Sequence, residues 1–153
     1  MDEPMKRKIL SLLEQNRIMT IATNRPDGWP QATTVGYSYE GLTLYFLCGT
    51  TSQKALNLAR DDRVSITIDH DSLQVMEITG LSMAARAQRI TDMTEAAHVL
   101  ELIMARYPEQ KNLNMPLPSP TEIALFKVTP KVISVLDYSK GFGHTDLVEC
   151  QKA

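Results

Sequence analysis

The chain has 153 residues, 43% of them hydrophobic and 22% charged, and its sixteen basic and eighteen acidic side chains leave a formal net charge of -2. That length suits a single domain over residues 1–153, able to bury about two-thirds of its unfolded surface. The signs are interspersed, with no basic run beyond Lys6-Arg7-Lys8; this excludes the electrostatic footprint of a nucleic-acid binder and leaves that cluster as a solvated helix face. No apolar run approaches the length of a membrane span. The opening Met1-Asp2-Glu3-Pro4 lacks the apolar core of a signal peptide, so a cytoplasmic location is expected.

Residues 4–15 carry Met5, Ile9, Leu12 and Leu13 at the spacing of one helical face, and Asn16 offers a stop. Residues 17–23 read as a short strand. Asn24-Arg25-Pro26-Asp27-Gly28 is turn chemistry, because proline presets its backbone angle and Asp-Gly accepts positive φ. A second strand is predicted over residues 30–39. The third, residues 42–48, is apolar on both faces and therefore central. It ends at Cys48, which reads as a buried thiol; with Cys150 it makes two cysteines, too few for a disulfide framework.

Residues 51–61 are helical in pattern, and residues 64–69 alternate as a half-buried strand. A further strand region spans residues 74–90, bent or bulged near Gly80. Residues 94–107 form a helix with Asp92 as cap and Glu95 as its box partner. Three prolines in residues 115–120 exclude regular structure and predict a surface crossing. Residues 122–128 and 131–138 give two closing strands broken at Thr129-Pro130, and the tail from Ser139 has no period and reads as loop. Six or seven strands in hairpin-like succession, with helices at the ends and seam, make an antiparallel barrel rather than a doubly wound sheet.

The segment with most chemical content is Cys48-Gly49-Thr50-Thr51-Ser52-Gln53-Lys54. A strand ends, a glycine follows, and three hydroxyl residues lead into a helix. Free N–H groups at a helix start favour an anion, Ser52 adds a hydroxyl and Lys54 a full charge. Charge-assisted hydrogen bonds of this kind contribute about 1.5–3 kcal/mol each. The same residues admit a second reading, since Thr50-x-x-Gln53 is a capping box of the sort that closes helices binding nothing.

The ordered series of Met-Thr-Ile-Ala-Thr-Asn-Arg-Pro-Asp-Gly-Trp-Pro-Gln-Ala-Thr-Thr-Val (residues 19–35), the strand 41–48, Ser-Gln-Lys-Ala-Leu-Asn-Leu (52–58) and Arg-Val-Ser-Ile-Thr-Ile (63–68) resembles the pyridoxamine 5′-phosphate oxidase-like, FMN-binding split-barrel family. The resemblance implies a mainly β fold, a six-stranded antiparallel Greek-key split β-barrel with flanking helices. It also implies an FMN-dependent oxidoreductase of a small substrate, and a homodimer with the cofactor at the interface. Carried over by position, Ser52 and Lys54 hold the flavin phosphate and Gln53 contacts the cofactor between them. Thr33, Thr34 and Val35 run along the ring and ribityl chain, and Leu47 and Cys48 lie beside it. Gly80, with Leu81, is the expected contribution of the partner chain.

Several positions depart from pyridoxamine 5′-phosphate oxidase itself. Thr33 stands where that enzyme has an arginine, Cys48 where it has a threonine and Ala85 where it has a glycine, and no arginine follows Lys140. A vitamin B6 phosphate is therefore not the expected substrate. Two other readings keep the barrel. One is a flavin-binding protein without turnover, serving as sensor, store or stress-associated binder. The other exchanges the ligand for haem, which wants an axial ligand such as His144, or for the deazaflavin F420, which wants extra cations such as Arg25, Arg60 and Arg86. Trp29, alone in the Gly28 turn, is placed either over a ring, at the barrel end or at the dimer interface; His70 and His98 read as solvated.

Overall fold

The computed structural model describes residues 1–108 and 119–150. Three helices and eight strands follow in chain order: α1 Glu3–Gln15, β1 Ile18–Asn24, β2 Pro30–Gly36, β3 Ser38–Glu40, β4 Thr43–Gly49, α2 Gln53–Arg60, β5 Arg63–Asp69, β6 Thr79–Arg89, α3 Met93–Arg106, β7 Ile123–Asp137 and β8 Thr145–Glu149. The strands form one sheet in the order β2-β1-β5-β6-β7-β4-β3, with β8 added to β7, and every pair is antiparallel. The β1–β5 and β7–β4 neighbours are the long returns of a Greek key. The two ends of this path, β2 and β3, are joined through Tyr37, and β2 packs against β4 without a ladder of its own. That unladdered seam is the split in the barrel.

Eight strands replace the seven segments read along the sequence and the six that the resemblance implies, through one division, one merger and one addition. The predicted second strand divides at Tyr37, whose ring is fully buried and whose hydroxyl reaches the carbonyls of Leu13 (2.7 Å) and Asn16 (2.9 Å), turning the chain inward. The two closing strands are one: Thr129 and Pro130 stay in the ladder, opposite Arg86 and Ala85. A register shift at Ala84/Ala85 absorbs Lys131, so the irregularity sits there and not near Gly80. Residues 145–149, read as loop, pair with Val132–Leu136 as β8. The predicted crossing over residues 115–120 lies largely outside the described residues; Pro120–Glu122 is a short 3-10 turn.

The strand pattern explains the core. Val64, Ile66 and Ile68 on β5, Leu81, Met83, Ala85 and Ala87 on β6 and Met19 and Ile21 on β1 are buried, while their alternates face outward. Ile9, Leu12 and Leu13 of α1 complete this cluster. β4 is apolar twice over: Leu44 and Phe46 face the barrel, and Tyr45 joins Ile90, Val99 and Leu125 under α3. Phe46 stacks on Phe126 with ring centres 5.2 Å apart. Asn16 caps α1 by donating Nδ2 to Leu12 O (2.8 Å), and Asp92 caps α3 by accepting from Glu95 N (2.8 Å). At the seam Arg106 of α3 binds Glu14 and the Leu13 and Asn16 carbonyls, its guanidinium lying over the Tyr37 and Tyr39 rings. Among the described residues no helix is long and apolar enough to cross a membrane.

Candidate functional site

The junction between β4 and α2 is fixed by the chain itself. Thr50 N donates to Glu122 O (2.9 Å), Thr50 Oγ1 to Thr121 O (3.2 Å), and Ser52 N to Gly49 O (3.1 Å). Ser52 is the N-cap of α2: its Oγ accepts from Ala55 N (3.2 Å) and donates to Gly49 O (2.8 Å). The predicted Thr50–Gln53 box does not form. The helix starts at Gln53, so Thr50 lies too far back to cap it, and Gln53 instead turns along the helix to donate Nε2 to Asn57 Oδ1 (2.8 Å). The N–H groups of Gln53 and Lys54 meet no acceptor among the described residues. Those two donors stand at the positive end of the α2 dipole.

Lys54 is half-buried and makes no ion pair among the described residues. Burial pushes its ammonium below the usual lysine pKa, and the nearby Cys48 thiol acts in the opposite sense. A cation partly stripped of water and given no carboxylate is an unfavourable arrangement that an anion would relieve. Cys48, half-buried, packs against the barrel core, whereas Leu47 faces the α3 cluster on the other side of β4. Of the two expected neighbours, only Cys48 shares the side of Lys54.

On β2, Thr33 and Val35 face the barrel and Thr34 is exposed on the opposite face. Thr33 Oγ1 is buried without a hydrogen-bond partner, and so is Gln31 Oε1, two residues earlier on the same face. Gln31 stands opposite Thr23, whose Oγ1 accepts from Asn57 Nδ2 (3.0 Å). Hydrogen bonds therefore run from Gln53 through the fully buried Asn57 to Thr23, with Gln31 across the ladder from Thr23 and Thr33 two residues further on. Gln31 and Asn57 escaped the sequence reading. Gln31 was reachable from the period-2 alternation of β2, which gives it the face of Thr33; Asn57 was reachable as a polar residue on the buried stripe of α2.

Gly80 lies elsewhere. It sits opposite Asp69 and Leu136 at one end of β6, while Ala87, beside α2, is seven residues away, about 23 Å along a strand. A Cβ added at Gly80 would stand 3.0 Å from Ile68 O, so the close strand approach favours glycine there. His144 is at this far end as well, its Nε2 3.1 Å from Asp146 Oδ2. Arg25 is held by Asp27, Arg60 by Asn24 O and Arg86 by Asp62, so each already has a partner. His98 meets Glu40 at 3.0 Å, His70 is exposed, and Trp29 is exposed beside Gly28, whose φ of 88° closes the β1–β2 turn. Two open cavities flank the region: one of about 390 Å³ beside Ala55, Leu58 and Phe126, another of about 420 Å³ beside Arg63, Ala84 and Lys131. None of the residues expected to hold FMN lines either one, and Arg86 lines the second.

An antiparallel split barrel whose third long strand runs through a glycine and hydroxyl turn into a capped helix is the fold of the family that the sequence resembles. The family model described as pyridoxamine 5′-phosphate oxidase matches residues 5–137, and the chain belongs to that family. Among solved structures it is similar to a candidate pyridoxamine 5′-phosphate oxidase of Listeria innocua, at 25% identity and a TM-score of 0.71 over 86% of this chain and 98% of that one. It is also similar to a haem-binding protein of Mycobacterium smegmatis (18% identity, TM-score 0.72, 90% of this chain and 55% of that one). A third is HutZ, the haem storage protein of Vibrio cholerae (19%, 0.66, 82% and 89%). The last two likenesses concern the fold. No curated protein matches the chain.

Proposed function

We propose that the chain binds flavin mononucleotide and works as an FMN-dependent oxidoreductase of a small substrate. The observation that carries this reading is Lys54: a half-buried ammonium with no carboxylate among the described residues, beside two free backbone N–H groups at the start of α2. These groups suit a phosphate dianion, and binding it would raise the lysine pKa back toward its ordinary value. Ser52 contributes by fixing the turn, since its hydroxyl hydrogen is committed to Gly49 O. The orphaned Gln31 Oε1 and Thr33 Oγ1 suit a hydroxylated chain that donates to them. Gly80, remote within one chain, would reach the cofactor from the second subunit of a homodimer.

When bound, the flavin supplies hydride or electron transfer. Lys54 and the first N–H groups of α2 would hold its phosphate, and Gln31 and Thr33 would accept from the chain beyond it. With Thr33 in place of an arginine, β2 offers no cation to a second phosphate, which favours a substrate other than a vitamin B6 phosphate. The three arginines that F420 would call on are already engaged, and His144 is tied to Asp146, which weighs against haem held by that ligand.

The visible spectrum of protein purified without added ligand, with mass identification of whatever is released on denaturation, tests the ligand. Flavin absorption with a mass matching FMN supports the proposal, and a Soret band or a deazaflavin mass replaces it. Steady reoxidation of the reduced protein by an added acceptor separates an enzyme from a binder without turnover.

A further inference from the structure

We infer that Asn57 is a positioning residue for the phosphate-binding turn, acting through Gln53; the inference rests on the flavin reading above and adds to it the group that sets its phosphate preference. Asn57 is fully buried on an eight-residue helix, a place where leucine or alanine would both pack and favour the helix better. Both ends of its amide are used, Oδ1 accepting from Gln53 Nε2 at 2.8 Å and Nδ2 donating to Thr23 Oγ1 at 3.0 Å. The helix is thereby pinned to β1 at one point and its first residue held at another.

Gln53 is itself exposed, and an exposed glutamine ordinarily samples many rotamers. Here one of its two amide hydrogens is committed to Asn57, which holds the carboxamide against the first turn of α2 with the second hydrogen unassigned. That hydrogen lies on the residue whose backbone N–H is also free, next to Lys54. Asn57 thus orders a third donor beside the first turn of α2 and ties that turn to β1 at Thr23, across the ladder from Gln31. A purely structural asparagine would stabilise the packing of α2 on β1 and leave discrimination between phosphorylated and unphosphorylated ligands unchanged.

FMN and riboflavin differ only in the phosphate, so the ratio of their affinities reads this function separately from folding. Asn57→Leu is expected to lower FMN affinity about tenfold, the loss of one hydrogen bond to a charged group, while riboflavin affinity stays within about twofold. Gln53→Met, at an exposed position, should give a similar loss. The double variant should lose no more than either single change, because both interrupt one line of contacts. Equal weakening of FMN and riboflavin in Asn57→Leu, or multiplied losses in the double variant, would overturn the inference. If Asn57→Leu does not fold, Thr23→Val removes the same anchor from the strand side, and an unchanged FMN-to-riboflavin ratio in that variant overturns it equally. A parent protein with no preference for FMN over riboflavin would instead defeat the phosphate reading beneath it.

Discussion

The two ends of the barrel use charge in opposite ways. At the far end, Lys8 of α1 binds Asp137, Ser139 donates to the same carboxylate, and Lys140 and His144 close on Asp146. At the α2 end, Lys54 and the first two N–H groups of the helix have no acceptor among the described residues, and two acceptors on β2 are orphaned. The first end spends its polar groups on holding α1, β7 and β8 together. The second leaves them without a partner among the described residues. A fold tolerates such unsatisfied groups at a small number of places, and two of the three buried orphan side-chain atoms among the described residues lie together on β2, the third, Arg106 Nε, being at the seam.

The contrast predicts which property each substitution moves. Asp137→Asn should have the largest effect on stability. It removes the charge that Lys8 and Ser139 close on, at about 1.5–3 kcal/mol, lowering the thermal midpoint by several degrees with FMN affinity unchanged. Lys54→Met should do the reverse: the fold stays as stable or slightly more so, while FMN affinity falls about 10- to 100-fold by titration. Thr33→Val sharpens the distinction further. Removing a buried orphan hydroxyl should stabilise the ligand-free protein by about 1 kcal/mol in denaturant unfolding and weaken flavin binding several-fold. The smallest effect belongs to Arg63→Ala, whose contact with Asp61 lies at the solvent-facing surface, with the thermal midpoint and the binding both essentially unchanged.

Acid separates the ends as well. Contact with the Lys8 ammonium and the Ser139 hydroxyl lowers the Asp137 pKa to about 2 from an ordinary 3.8. A depressed carboxylate contributes stability that is present above about pH 4 and is lost as pH falls toward 2. Urea midpoints measured across that window should fall for the parent protein and stay flatter for Asp137→Asn. A similar slope in both would place the acid-sensitive contact elsewhere.

Much of the fold was legible because it rests on alternation. Residues 64–69 showed one buried face, residues 42–48 showed two, and both readings hold. The failures came where tertiary contacts override local pattern. Thr129-Pro130 looks like a break, yet the proline sits at a bulged position where a missing donor costs the ladder little. Tyr37 divides a strand because α1 offers it carbonyls that no local window contains. Residues 145–149 became a strand only because β7 had a free edge for them. For the site, the Ser52-Gln53-Lys54 junction could be read from hydroxyls and charge preceding a helical pattern, but the identity of the cap could not, since Thr50 and Ser52 are equally good caps until Thr121 claims one of them. Gly80 was legible as special, but its place at the end of β6 far from Lys54 depends on strand pairing that sequence spacing does not reveal.

The most direct test is the affinity ratio of FMN to riboflavin, measured by fluorescence titration on the parent protein and on Lys54→Met. The account predicts that the parent favours FMN by at least about tenfold, the contribution of one charge-assisted contact, and that Lys54→Met largely removes this preference while binding riboflavin as before. Equal affinity of the parent for both ligands, or a preference that survives the loss of Lys54, would contradict it.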